Sequence, residues 1–386
     1  MLTVKWNPFL AAAAALAVAT GGMVAPASAD VSSTNPAAIV IYPKLVADSA
    51  TNTDTVLQLT NVSSQPANVR CFYVNANGHC SNNPTQICDP NRAAAGSNAC
   101  PTGGVCIPGW IETDFRFRLT PNQPIKWRVS EGLADFPRAN QPGPGGQFTL
   151  QSSIPPASED PFLGELKCVL VGDDELPIDA NWLEGKATIV SEACPLDIAG
   201  YTAIGIQAIP GANNRDNTLV LGTEYNGCPN ILSLDHFFDG ATDPASGSEV
   251  TTDVTFVPCS QDFNLQLPKS LVVQFLVYNE FEQRFSTSRT IDCLTNIALT
   301  DIDTRLGEFG DLQSIFHVAV QGTLTGQTLA RGVNDSSDDA PGGETMLMVA
   351  QRFHDAAWSS AYVAHQRGVR AEPDLIILPA AAPQGP

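Results

Sequence analysis

Cysteine is the residue of this 386-residue chain with the clearest chemistry, and there are ten of them. They fall into two sets. Cys71, Cys80, Cys88, Cys100 and Cys106 crowd one segment, whereas Cys168, Cys194, Cys228, Cys259 and Cys293 are dispersed. Thiols at this density belong to proteins that oxidise them outside the cytoplasm and are rare in reducing compartments. A metal cluster is the competing chemistry for the crowded set, but its intervals of eight, seven, eleven and five intervening residues never give the two-residue knuckle of zinc sites. All ten are therefore read as disulfide candidates. Because each set is odd, complete pairing needs a bridge between the sets or leaves a thiol over, and spacing alone does not fix the connectivity.

Other chemistry finds less to work with. There is no G-x-S-x-G elbow for acyl transfer and no H-E-x-x-H for metal-assisted hydrolysis. The five histidines, His79, His236, His317, His354 and His365, are scattered. No catalytic or cofactor-binding residue is assigned. Glycoside hydrolysis needs only two carboxylates facing each other across a sugar. Three groups stand in suggestive company: Asp235 beside His236, Asp173 with Asp174, and Glu280 with Glu282, which share a sheet face if the strand through Tyr278 continues. Calcium takes hard oxygen ligands, and it is the cofactor with most residues behind it. Asp301 and Asp303 form one group, Asp335, Asp338 and Asp339 another, and neither follows the EF-hand order. Glycosylation sequons stand at Asn61 and Asn334.

The elements that must hold these residues read as β-strands. Short apolar runs recur between Pro, Gly, Asn and Asp: Ala38 to Tyr42, Thr55 to Thr60, Asn68 to Val74, Asp114 to Leu119, Ile125 to Val129, Gly164 to Val171 and Lys186 to Val190. Phe115, Phe117 and Leu119 alternate with Arg116 and Arg118, the signature of a sheet with one buried face. A second series follows at Val250 to Val257, Leu271 to Tyr278, Phe285 to Cys293, Ile315 to Gly322, Thr328 to Val333 and Leu375 to Leu378. The expectation is an all-β chain of two immunoglobulin-like sandwiches, residues 30–190 and 191–378, the second beginning with a connecting region. A disulfide-rich insertion, 75–108, interrupts the first. The stretch 344–368 fits helix and strand alike, and the Ala- and Pro-rich tail 379–386 is expected to be disordered.

Residues 1–29 have the layout of a signal peptide: Lys5, then an apolar stretch from Phe9 to Ala19, then Ala27-Ser28-Ala29 before Asp30. The apolar stretch is about half of what spans a bilayer. Export to the periplasm or beyond is expected, with no membrane insertion after cleavage. A net charge of −20 argues against nucleic acid and anionic lipid as partners and leaves cations, basic proteins and neutral glycans.

Three segments, DTVLQLTNVSSQPANVRCFYVNA, TDFRFRLTPNQPIKWRVSEGL and VYNEFEQRFSTS, resemble those of uncharacterised exported β-rich bacterial proteins. The resemblance spans most of the mature chain and implies an exported β fold, but it brings no activity or catalytic residue. Function is thus bounded to two expectations. The first is a non-catalytic exported protein with a binding or surface-associated role, its protein or glycan partner unidentified. The alternative is a secreted hydrolase acting on glycans through a carboxylate pair.

Overall fold

A computed structural model describes residues 34–88, 100–134, 153–192, 196–303, 311–333, 341–355, 357–367 and 373–380. The segment read as a signal peptide lies outside these ranges. So do Cys194, Asn334, Asp335, Asp338, Asp339 and residues 381–386 of the tail.

The chain is all-β. Its first half runs through β1 (Ile39–Ala47), β2 (Thr53–Asn61), β3 (Ala67–Asn75), β4 (Gly78–Cys80), β5 (Asn83–Cys88) and β6 (Cys106–Ile107). It continues with β7 (Ile111–Leu119), β8 (Pro124–Arg128), β9 (Phe162–Val171), β10 (Leu183–Ser191), β11 (Asp197–Thr202) and β12 (Ile204–Ile206). Two antiparallel sheets, ordered β12-β1-β9-β3-β7 and β11-β10-β2-β8, face each other. Between them lies a core of Tyr42, Leu57, Val69, Tyr73, Phe115, Phe117, Trp127 and Leu166. As the alternation predicts, Phe115, Phe117 and Leu119 are buried, while Arg116 and Arg118 lie beside Glu175 and Asp173 of a turn. The Trp127 indole is buried because it has a partner: its Nε1 donates to the Tyr73 hydroxyl at 2.6 Å.

The second half contains β13 (Thr218–Leu221), β14 (Ile231–Phe237), β15 (Ala241–Thr242), β16 (Glu249–Pro258), β17 (Gln261–Asp262), β18 (Ser270–Asn279), β19 (Arg284–Asp292) and β20 (Thr295–Ala298). It ends with β21 (Thr325–Val333), β22 (Met346–His354), β23 (Trp358–Val363), β24 (His365–Arg367) and β25 (Asp374–Ile377). The sheets β19-β18-β21-β14-β24 and β15-β16-β22-β23 enclose a second core built on Val254, Phe256, Val273, Phe275, Phe316 and Met348. Where it is described, the ambiguous stretch 344–368 therefore forms the strands β22, β23 and β24. Its apolar residues fit both periods, and pairing of β22 to β16 along nine residues decides for the extended form.

Ile315 to Gly322, expected as a strand, is not one. Residues Val318–Gln321 form a one-turn helix, α2. The His317 side chain caps it by accepting from Ala319 N, and Gly322 ends it at φ 67°, a left-handed position suited to glycine.

A third core joins the halves. Strands β1, β3 and β9 are buried on both faces, and their outward apolar residues Ile39, Ile41, Phe72, Val74, Val169 and Val171 pack on Leu219, Leu221, Phe263, Leu347 and Ile376. A small sheet, β13-β25-β17, covers them, and Phe72 meets Phe263 at 4.6 Å between ring centres. Among the described residues no helix is long and apolar enough to cross a membrane.

Candidate functional site

Among the described residues four disulfides are formed: Cys71–Cys168, Cys80–Cys100, Cys88–Cys106 and Cys228–Cys259. The odd count in the crowded set is resolved by Cys71, which faces Cys168 directly across β3 and β9. Cys293 is buried and forms no disulfide among the described residues, and burial pushes its thiol up to about 12. Cys80, Cys88 and Cys100 bring their sulfurs together closely enough for a metal, but all three are consumed in the two adjacent bridges.

These bridges hold the insertion sheet β5-β4-β6, where Val105 and Ile107 stay exposed. Glu159 fastens it to the first sandwich, accepting from the Asn75 amide, from Asn77 Nδ2 at 2.6 Å and lying 3.0 Å from His79 Nε2.

The carboxylate groups singled out by sequence are held structurally. Asp235 accepts from Gln327 on the sheet surface, while His236 turns inward beneath it. Asp173 accepts from Asn68, and Asp174 pairs with Arg215 at 2.6 Å. Glu280 and Glu282 do not share a strand face: β18 ends at Asn279, and the two flank the exposed Phe281 in a turn. Glu280 there accepts from the Thr325 amide at 2.9 Å. The first calcium group also diverges. Asp303 is buried and accepts from Ile315 N, whereas Asp301 sits in the short helix α1 (Leu299–Ile302). Among the described residues, no three carboxylates converge as metal ligands. Asn61 is buried, with Nδ2 donating to Gln65 O and Thr120 O, so its sequon is not presented for modification in the folded chain.

What sequence did not reveal is a cleft of about 470 Å³ between the sandwiches. The first half contributes Lys44 from β1, Asp48 from the following turn and Asp197 from β11. Asp253 from β16, Phe353 from β22, then Asp355 and Trp358 come from the second. Four carboxylates and, among the described residues, a single cation thus line the cleft. Lys44 is 2% exposed, and burial holds its ammonium below the usual lysine value, with the charge of Asp253 opposing that shift. Trp358 is 43% exposed at the rim and lies flat on His354, 3.6 Å between ring centres and 9° between planes. His354 is kept below its ordinary pKa by burial, with Asp243 opposing from 3.5 Å, so the stack presents an uncharged aromatic platform near neutral pH. Asp197 is pinned by the Ser359 amide and hydroxyl next to that platform.

A second hollow of about 460 Å³ shares Asp48 and Thr53 with the cleft. Asp54, Glu131, Glu159, Asp160 and Glu192 line it and, among the described residues, Arg128 is their one cation. The insertion's anchor, Glu159, therefore borders a continuous acidic surface. A larger trough of about 660 Å³ lies on the outer face of β18, β19 and β21, lined by Gln274, Ser286, Ser288 and Arg331. It is open sheet surface with no converging charges, so the cleft is the better candidate. One signal of it was present in the sequence: Lys44 interrupts the apolar run of β1, IVIYPKLVA. Compared with known families and characterised proteins, the chain matches none.

Proposed function

We propose that this chain is an exported, non-catalytic binding protein whose inter-sandwich cleft takes a neutral or amine-bearing glycan. The observation that carries the reading is the pairing of an exposed, uncharged Trp358 face with the carboxylates of Asp197, Asp253 and Asp355 in one cleft. An aromatic face covers the apolar side of a sugar ring, while fixed carboxylates accept from its hydroxyls or ammonium groups. The same charge repels uronic or sulfated sugars. Export is supported by the four disulfides and by the N-terminal layout.

Calorimetric titration with neutral, amino and sulfated oligosaccharides tests the reading. Neutral or amino sugars are expected to bind and sulfated ones not to. Trp358→Ala should weaken binding about tenfold, the worth of roughly 1.4 kcal/mol of lost contact. Equal affinity for sulfated sugars, or no effect of Trp358→Ala, defeats it. The same cleft keeps the hydrolase alternative in play, because Asp197 and Asp253 both line it. Release of reducing ends that stops in Asp253→Asn would replace binding with glycan hydrolysis.

A further inference from the structure

Three polar side chains meet inside the apolar join between the sandwiches, far from any solvent. Lys167 and Glu165 are fully buried on the outward face of β9, and Gln261 of β17 is 2% exposed. The Lys167 ammonium donates to Glu165 Oε2 at 3.0 Å and to the Gln261 carbonyl oxygen. The Gln261 amide nitrogen in turn donates to Glu165 Oε1. Around them stand Phe263, with its ring centre 5.9 Å from Lys167 Nζ, and the buried thiol of Cys293.

As a simple ion pair this arrangement is expensive, because desolvation of two charges offsets much of their attraction. As a reactive constellation it is complete. An amine touches a carboxamide, and one carboxylate bridges the nitrogen that would attack and the nitrogen that would leave. We propose that Lys167 and Gln261 become joined by an intramolecular isopeptide bond, with Glu165 as the proton carrier.

The step balances without an oxidant, metal or co-substrate. Lys167 passes a proton to Glu165, and the neutral amine attacks Cδ of Gln261. A C–N bond forms, the Cδ–Nε2 bond breaks, and Glu165 carries protons from the attacking to the leaving nitrogen, which departs as ammonium. Glu165 ends as the carboxylate it began as. Burial favours the start of this sequence, since it holds the Lys167 ammonium below the ordinary lysine value with Glu165 opposing.

Positioning supplies the rest. Holding two reactants in an attack geometry replaces a bimolecular encounter and can lower a barrier by about 7 to 11 kcal/mol. Here both partners sit on fixed strands. β9 is paired on both sides, by β1 and β3. Gln261 follows Cys259, tied to Cys228, and pairs in parallel with Ile376 of β25. The product would link residues 94 positions apart and lock the two halves together.

Mass spectrometry of the reduced, denatured mature protein tests this. The expected intact mass is lower than that of the sequence by one ammonia, and protease mapping should yield a branched peptide carrying Lys167 and Gln261. Lys167→Arg and Gln261→Ala should restore the full mass. Glu165→Gln keeps the shape of the site, and its fold can be checked by non-reducing mapping of the four disulfides; once folded, it too should show the full mass. Wild-type protein with its full mass and two linear peptides overturns the proposal. A folded Glu165→Gln protein that still loses ammonia overturns the role of Glu165.

Discussion

Between its sheets the second sandwich packs Phe256 on Phe275 at 5.8 Å and Phe275 on Phe316 at 6.2 Å, and among the described residues no disulfide crosses that core. The insertion is the reverse. Its strands are two to six residues long, Val105 and Ile107 are left 68% and 53% exposed, and two bridges take the place of a core. Strands that short cannot bury enough apolar surface to offset the entropy of ordering them, so the unfolded state must be constrained instead. The difference shows two routes to rigidity in one chain, apolar burial and covalent closure.

The strongest way to break the comparison is to remove burial where it alone is said to act. Phe275→Ala should cost about 3 to 5 kcal/mol in denaturant unfolding, the range for a truncated core aromatic. The insertion should keep both of its bridges in a non-reducing peptide map. A loss below about 1 kcal/mol would mean that something other than the aromatic core holds the second sandwich.

Removing closure is the complementary change. Cys80 and Cys100 are separated by 20 residues, and losing a bridge that closes a loop of that size destabilises by about 3 kcal/mol. Replacing both by serine should abolish amide protection across 78–88 and 100–107 in hydrogen exchange. The midpoint for the sandwiches should stay unchanged, because their cores contain neither residue. Cooperative loss of the sandwiches would show that the insertion is part of their folding unit.

The same contrast explains what could be read from the sequence. Strands with one buried face announced themselves: Phe115 to Leu119 alternates because β7 has solvent-side arginines bound to a turn. Asn61 and Asn279 each close a turn by accepting from the amide two residues on, a local bond that asparagine makes within its own stretch of chain. Short strands stayed hidden. β11 and β12 extend the sheets of the first half beyond residue 191, yet six- and three-residue runs carry too few alternations to register. The cleft was less legible still. Asp197, Asp253 and Trp358 come from separate strands, and only packing of one half on the other brings them together. The Lys167, Glu165 and Gln261 cluster is hidden for the same reason, although two charges inside the apolar run FLGELKCVLV mark a face that cannot be ordinary core.

A smaller effect sharpens the burial side of the comparison, because the second sandwich encloses two titrating groups with opposite habits. His236 donates Nδ1–H to the Phe237 carbonyl, which leaves Nε2 to accept from the Thr328 hydroxyl, and burial lowers its pKa to about 4. The unfolded chain binds that proton first, so His236 contributes stability that is lost as pH falls from about 6.5 to about 4. Asp239 accepts from the Thr252 and Thr300 amides, but burial raises its pKa to about 7. Here the folded chain binds the proton first, and stability is gained as pH falls from about 7 to about 4. The two slopes oppose each other across nearly the same window, each reaching at most about 1.4 kcal/mol per pH unit. Denaturant titrations between those limits should therefore separate them: relative to the parent, Asp239→Asn loses stability more steeply on acidification and His236→Gln less steeply. Parallel curves for all three proteins would mean that neither group is sealed from water, and that the second sandwich is looser than a core held by burial alone can be.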